Sequence, residues 1–192
     1  MKPAGGISNL DLARALALLV PAALLAGAWS FQIWGGLFPC EMCWWQRYAH
    51  IAALVLAICA FLVARRPGLD RALLVLAALA ILASGMIGAY HAGCEAHVFQ
   101  CFTQCTRIVT GAATTQELMA QIMDAPIVRC DQVQWRFLGI SMAGWNAILS
   151  TGFAFLILWL TRGSRPAADN GHDEAERRSG LGARSGAMLH AS

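Results

Sequence analysis

The sequence predicts an all-α membrane protein, a four-transmembrane-helix bundle with a long outer loop that carries a short amphipathic helix. Three observations lead there. Of 192 residues, 58% are hydrophobic and 13% are charged, where an ordinary soluble domain is about a quarter charged. Four apolar stretches, 15–35, 44–64, 72–90 and 144–161, each approach the roughly 20 residues that cross a bilayer. Cys40, Cys43, Cys94, Cys101, Cys105 and Cys130 fall outside those stretches, and only Cys59 lies within one. The length suits one membrane domain, residues 1–162. Residues 163–192 are a Gly-, Ser- and charge-rich tail, expected to be disordered and cytoplasmic. A net charge of +3, scattered among apolar segments, offers no track of phosphate contacts and excludes nucleic acid as a partner.

The first stretch follows Lys2 and Arg14, and Ala26, Gly27 and Ala28 have the small-residue look of a signal-peptide cleavage site. The apolar run continues to Gly35, beyond a usual signal core, so an uncleaved helix is expected. The second and third stretches are joined only by Arg65, Arg66, Pro67, Gly68, Leu69, Asp70 and Arg71, which makes their helices antiparallel neighbours. The loop from about Gly93 to Met142 is too polar to be a span, so both termini share one side. Lys2, Arg14, Arg65, Arg66, Arg71, Arg162, Arg165, Arg177, Arg178 and Arg184 lie on that side, against Arg47, Arg107, Arg129 and Arg136 on the other. This bias places the termini in the cytoplasm. Trp29, Trp34, Trp44, Trp45, Tyr48, Tyr90, Trp135 and Trp145 gather near the outer boundary as an aromatic belt.

Within the outer loop, Thr114 and Glu117 have capping-box spacing ahead of Leu118, Met119, Ile122 and Met123, which reads as a short amphipathic helix ended by Pro126. A second amphipathic piece, Val133, Trp135, Phe137 and Leu138 among polar neighbours, suits the bilayer surface and would keep Cys130 near it.

The topology sorts the cysteines by redox compartment. Cys59, alone in a span, reads as a small packing residue. The other six face the outer side, where disulfides form and persist. Cys40 and Cys43 form a Cys-x-x-Cys where the second helix begins, and the free N–H groups and dipole of a helix start favour a thiolate, Cys43 being best placed. Arg47, four residues on, adds a fixed positive charge on the same face, while Glu41 opposes it. The bland alternatives are a structural disulfide or half a metal site for the cysteines, and an interfacial snorkelling role for Arg47. His50 and His97 show no ligand spacing, so no metal site is expected.

Taken together, Pro39, Cys40, Cys43 and Arg47, then Tyr90 to Gly93, Thr103 to Thr106, Cys130, and Trp135 to Asn146 resemble the DsbB family of bacterial disulfide-bond formation proteins over about residues 10–161. The resemblance implies a quinone-linked thiol oxidoreductase in the bacterial inner membrane. Its partner would be a periplasmic DsbA-like thioredoxin-fold protein, and its cofactor ubiquinone or menaquinone. Carried over by position, Cys40, Cys43, Cys105 and Cys130 are catalytic. Arg47 and His91 would contact the quinone, His91 being otherwise a helix-end cap. The implied relay runs from the partner to a Cys105–Cys130 disulfide, then through Cys130 to Cys40, leaving Cys43 as the thiolate that reduces the quinone. Since DsbA is itself a strong oxidant near about −120 mV, quinone reduction must drive the last step. Cys94 and Cys101 depart from the family pattern and leave the loop pairing open. A vitamin-K-epoxide-reductase-like enzyme is disfavoured because its Cys-x-x-Cys lies late in the bundle. A cysteine-based metal transporter is disfavoured because only Cys59 lies deep.

Overall fold

A computed structural model of the chain describes residues 8–98, 100–101, 114–117, 119 and 129–163. Cys105, the expected amphipathic helix beyond its first turn, and the tail after Gly163 lie outside the described residues. Four helices, α1 (Asn9–Ile33), α2 (Glu41–Leu62), α3 (Pro67–Glu95) and α4 (Met142–Gly163), are each long and apolar enough to cross a membrane.

Each helix starts where a local chemical signal allows it. Ser8 caps α1, its Oγ accepting from the Asp11 N–H at 3.1 Å, so the helix begins at Asn9, ahead of the apolar run. Cys40 caps α2, its sulfur accepting from the Cys43 N–H at 3.3 Å. Pro67 opens α3, where a missing N–H is harmless. The α2–α3 connection therefore shrinks to residues 63–66 instead of reaching Arg71. Thr114 Oγ1 accepts from the Glu117 N–H at 3.2 Å, the expected cap of the short loop helix.

The helices pack through small side chains. Ala13, Ala17, Ala53, Ala57, Ala60, Ala77, Ala78 and Ala154 have no exposed surface, and Leu74, Ile81 and Ile157 fill the space between them. In lipid there is no hydrophobic drive between helices, so close approach through small residues supplies the attraction. α3 meets α4 most tightly. A Cβ at Gly85 would lie 2.6 Å from Thr151 Oγ1, and one at Gly88 would lie 2.9 Å from Asn146 Nδ2 and 3.0 Å from the Ala143 carbonyl. Asn9 and Gly163 are neighbours, so α1 starts and α4 finishes at the same end of the bundle.

At the opposite end, residues 131–136 alternate between half-buried and exposed, the period of extended chain. The second amphipathic piece is accordingly a β-hairpin, β1 (Arg136–Phe137) against β2 (Ile140–Ser141), with Phe137 opposite Ile140. Leu138 and Gly139 at its tip both have positive φ, 52° and 81°, as a two-residue primed turn requires. Trp135 packs on Phe31 of α1 with ring centroids 4.7 Å apart, and Gln134 Nε2 donates to the Phe38 carbonyl at 2.9 Å. The segment is thereby laid across the open end of the bundle. Trp145 Nε1 donates to the Phe137 carbonyl at 3.1 Å, and Ser141 Oγ caps α4 through the Gly144 N–H.

Near the termini, Arg14 of α1 grips Asp70 of α3 with two parallel bonds, Nε to Oδ1 at 3.1 Å and Nη2 to Oδ2 at 2.7 Å. The Asp70 side chain is fully buried. Asp70→Ala should leave the Arg14 guanidinium without its buried partner and lower stability by about 3–5 kcal/mol. Asp70→Asn, which keeps the shape, should lose less. Thermal unfolding in detergent measures both, and an unshifted Asp70→Ala transition would show that the pair does not hold α1 to α3.

Candidate functional site

The bundle end opposite the termini holds a cavity of about 350 Å³. Its walls are mostly apolar, with Leu25, Phe31, Leu37, Met142 and Trp145 among them, and Cys40, Cys43, Arg47 and His91 converge on it. The Cys40 and Cys43 sulfurs lie 3.0 Å apart, because Cys40 is the cap and Cys43 the first-turn residue that its sulfur accepts from. Cys40, Cys94 and Cys130 belong to one buried cluster, against which Cys43 and Cys101 pack. The Cys40 sulfur, the Cys130 sulfur and a His91 ring nitrogen lie within 4.8 Å of one another. That donor set also suits a soft cation such as zinc while the cysteines are thiols.

Contact with the Cys130 thiol, then with Cys43, together with burial, pushes the Cys40 thiol well above its usual range. In the reduced pair the Cys40 S–H donates to the Cys43 sulfur.

Arg47 is almost buried, 7% exposed. Nη1 donates to Gln32 Oε1 at 2.5 Å and Nη2 to the Ala28 carbonyl at 3.1 Å, while its guanidinium lies 5.1 Å from the Trp44 ring centroid. These bonds tie α2 to α1 and hold the charge at the cavity wall; a snorkelling side chain would reach for water instead.

His91 does not cap the end of α3. It is 4% exposed, with Nε2 3.6 Å from the Cys40 sulfur and 3.9 Å from a Glu95 carboxylate oxygen. Its tautomer follows from a chain of hydrogen bonds that starts at a backbone carbonyl. Asn146 Nδ2 donates to the Ser84 carbonyl at 3.1 Å, which can only accept, and this fixes which end of the amide is nitrogen. The same Nδ2 donates to Gln46 Oε1 at 2.8 Å, so Gln46 turns its NH2 group to His91 Nδ1 at 3.1 Å. His91 Nδ1 is the acceptor, and its proton sits on Nε2, on the side of the Cys40 sulfur and the Cys130 backbone. On the other side, Asn146 Oδ1 accepts from Ser150 Oγ at 2.9 Å and from His50 Nε2 at 3.0 Å. His50 Nδ1 is left buried with no partner among the described residues.

The structure thus brings together Cys40, Cys43, Arg47, His91 and Cys130 of the expected set, while Cys105 lies outside the described residues. Sequence reading missed Gln46, Ser84, Asn146 and Ser150, and set His50 aside. The signal for them is that polar groups inside membrane spans are costly and must find partners. Cys59 is half-buried on α2, away from the cluster.

A membrane-spanning bundle with paired thiols buried at one end defines a membrane protein of disulfide chemistry. The profile of the disulfide bond formation protein DsbB family matches residues 11–160, and the chain belongs to that family. It is 31% identical over 147 residues to disulfide bond formation protein B of Azoarcus sp. (strain BH72), covering 75% of this chain and 87% of that protein. It is 31% identical over 154 residues to disulfide bond formation protein B of Marinobacter nauticus, covering 74% and 84%. An uncharacterized protein, RP370, of Rickettsia prowazekii is 24% identical over 114 residues, 58% of this chain and 64% of that one. No solved structure matches.

Gln46→Glu tests the direction of the network. A carboxylate can only accept, so it should draw the proton of His91 to Nδ1. Nitrogen-15 NMR of histidine-labelled protein, assigned with His91→Gln, should show a protonated Nε2 in the natural protein and a protonated Nδ1 in the variant. The same pattern in both would mean that Gln46 does not set the tautomer.

Proposed function

We propose that this protein reoxidises a periplasmic DsbA-like thioredoxin-fold oxidase by disulfide exchange and delivers the electrons to a membrane quinone. The observation that carries this reading is the meeting of the Cys40, Cys43 and Cys130 sulfurs beside a cavity lined by Arg47 and His91. The cavity lies within the size range of small-molecule sites, about 300–1,000 Å³, at the end that suits a ring head group. Its apolar walls fit such a ring, and the Arg47 guanidinium and the His91 Nε2–H are donors suited to its two oxygens. Ubiquinone and menaquinone both meet these demands. A bound quinone supplies an acceptor for two electrons and two protons.

The protein residues then act in order. A partner thiolate attacks Cys105 of a Cys105–Cys130 disulfide, forming a mixed disulfide and releasing Cys130 as a thiolate. Cys130, already in the Cys40 cluster, attacks Cys40 of the Cys40–Cys43 disulfide, and Cys43 leaves as a thiolate. The second partner cysteine resolves its mixed disulfide and frees Cys105, which attacks Cys130 and restores the loop bond. Cys40 then departs as the second thiol of its pair. Two electrons have moved from the partner to Cys40 and Cys43. His91 Nε2–H faces the Cys40 sulfur as charge develops there, and Arg47 offsets the charge of Cys43. The distribution of Lys and Arg supports an inner-membrane orientation with both termini cytoplasmic. The working cysteines then face the oxidising periplasm.

Arg47→Gln separates charge stabilisation from anchoring. Gln keeps a donor but no charge, and losing one charge-assisted hydrogen bond corresponds to about 1.5–3 kcal/mol. The apparent KM for ubiquinone-1 should rise roughly tenfold to a hundredfold, with thiol exchange at Cys105 unchanged and Arg47→Lys intermediate. Turnover against quinone concentration decides it. Unchanged kinetics in a folded Arg47→Gln protein would leave Arg47 only its bonds to α1.

A further inference from the structure

Cys94 of the buried cluster and Cys101, which packs against it, have no place in the relay. Their meeting follows from how α3 ends. The Val98 N–H donates to the Gly93 carbonyl and the His97 N–H to the Cys94 carbonyl, both at 2.9 Å. With His97 at φ 57°, this is a Schellman turn that stops the helix and reverses the chain. Tyr90 Oη then donates to the Gln100 carbonyl at 2.9 Å and draws the returning strand of loop back along α3. Cys101, the next residue, packs against the cluster that contains Cys94, and the two thiols interact. Cys94 has no exposed surface, whereas Cys101 keeps some. Burial, followed by the Cys94 thiol, pushes the Cys101 thiol up to about 12, which makes it a poor nucleophile while it stays in this contact.

The placement also exposes a hazard. Cys101 packs against the cluster that contains Cys40 and Cys130, so an unpaired Cys101 is a competitor for the same exchange partners. We propose that Cys94 and Cys101 form a disulfide outside the relay, closing the mouth of the outer loop and withholding Cys101 from exchange with Cys105 and Cys130. Its formation is an ordinary exchange with a protein disulfide of the outer compartment. One thiolate of the pair attacks that disulfide and expels a thiolate, and the second attacks the mixed disulfide and expels the other. A Cys94–Cys101 bond is made, the oxidant's bond is broken, and two electrons with two protons leave for the oxidant.

The bond stands on the placement of the two thiols alone; only its effect on turnover rests on the relay proposed above. Peptide mapping tests it. Purified protein is denatured under N-ethylmaleimide and cut by chymotrypsin, whose sites after Tyr90, Phe99 and Phe102 separate Cys94, Cys101 and Cys105. A peptide bearing Cys94 linked to one bearing Cys101 is the expected result. Alkylated Cys94 and Cys101, or Cys101 linked to Cys105 or Cys130 in the natural protein, would overturn it. The single variant Cys94→Ser should then show Cys101 linked in part to Cys105 or Cys130 and a several-fold loss of quinone-coupled turnover. The double variant Cys94→Ser, Cys101→Ser should recover most of that loss, because the competitor is gone. A single variant as active as the double one would refute the protective role. A linked Cys94–Cys101 peptide in a protein without quinone turnover would sink the relay and not the bond.

Discussion

The Ser84 carbonyl accepts a hydrogen bond from Asn146, and because it can do nothing else, the polarity of the whole polar layer is set from that point. Asn146 passes the direction to Gln46, Gln46 to His91, and His91 to the Cys40 sulfur. Reaching that carbonyl requires α4 to lie almost on the backbone of α3, which Gly85 and Gly88 permit and a Cβ at either position would not. In hydrocarbon an unpaired amide is expensive, so the side-chain amides of Asn146 and Gln46 both find partners. Packing and chemistry are thus linked: the glycine contact that joins two helices also decides which ring nitrogen of His91 carries the proton.

The site reuses this economy elsewhere. Cys40 is at once the cap of α2 and, in the proposed relay, a redox thiol, so the residue that starts the helix also brings its sulfur to Cys43. Arg47 bonds α1 through Gln32 and Ala28 while placing a permanent charge at the cavity wall. The hairpin and Trp135 close the end of the bundle, and Cys130, just ahead of them, is set down in the cluster with Cys40. Each of these residues has a structural reason to be held still, which is what a thiol exchange centre needs for its sulfurs to meet in line.

Much of this was legible in the chain, for reasons that are local. Four spans follow from hydropathy, the shared side of the termini from a short connection and a long polar loop, and the Cys-x-x-Cys from its position at a helix start. The errors of boundary are also local: Ser8 extends α1 beyond its apolar run, and Pro67 starts α3 early. The polar layer was not legible, because Gln46 meets Asn146 across 100 positions and His50 meets it across 96, distances at which no periodicity speaks. His91 was left between ligand and helix cap for the same reason, since its partners lie on α2. The hairpin was half legible, the alternation of Val133, Trp135 and Phe137 being the period of a strand as well as of a surface-lying segment.

The central claim is that Cys40 and Cys43 are the pair that reduces quinone. It is tested most directly by mixing fully reduced, anaerobic protein that carries Cys105→Ser and Cys130→Ser with ubiquinone-1 while counting thiols and quinol together. The account predicts one quinol for each Cys40–Cys43 disulfide formed, even without the loop cysteines, and none in a protein carrying Cys40→Ser and Cys43→Ser. Quinol formed equally by that second protein, or no quinol from the first, would contradict it.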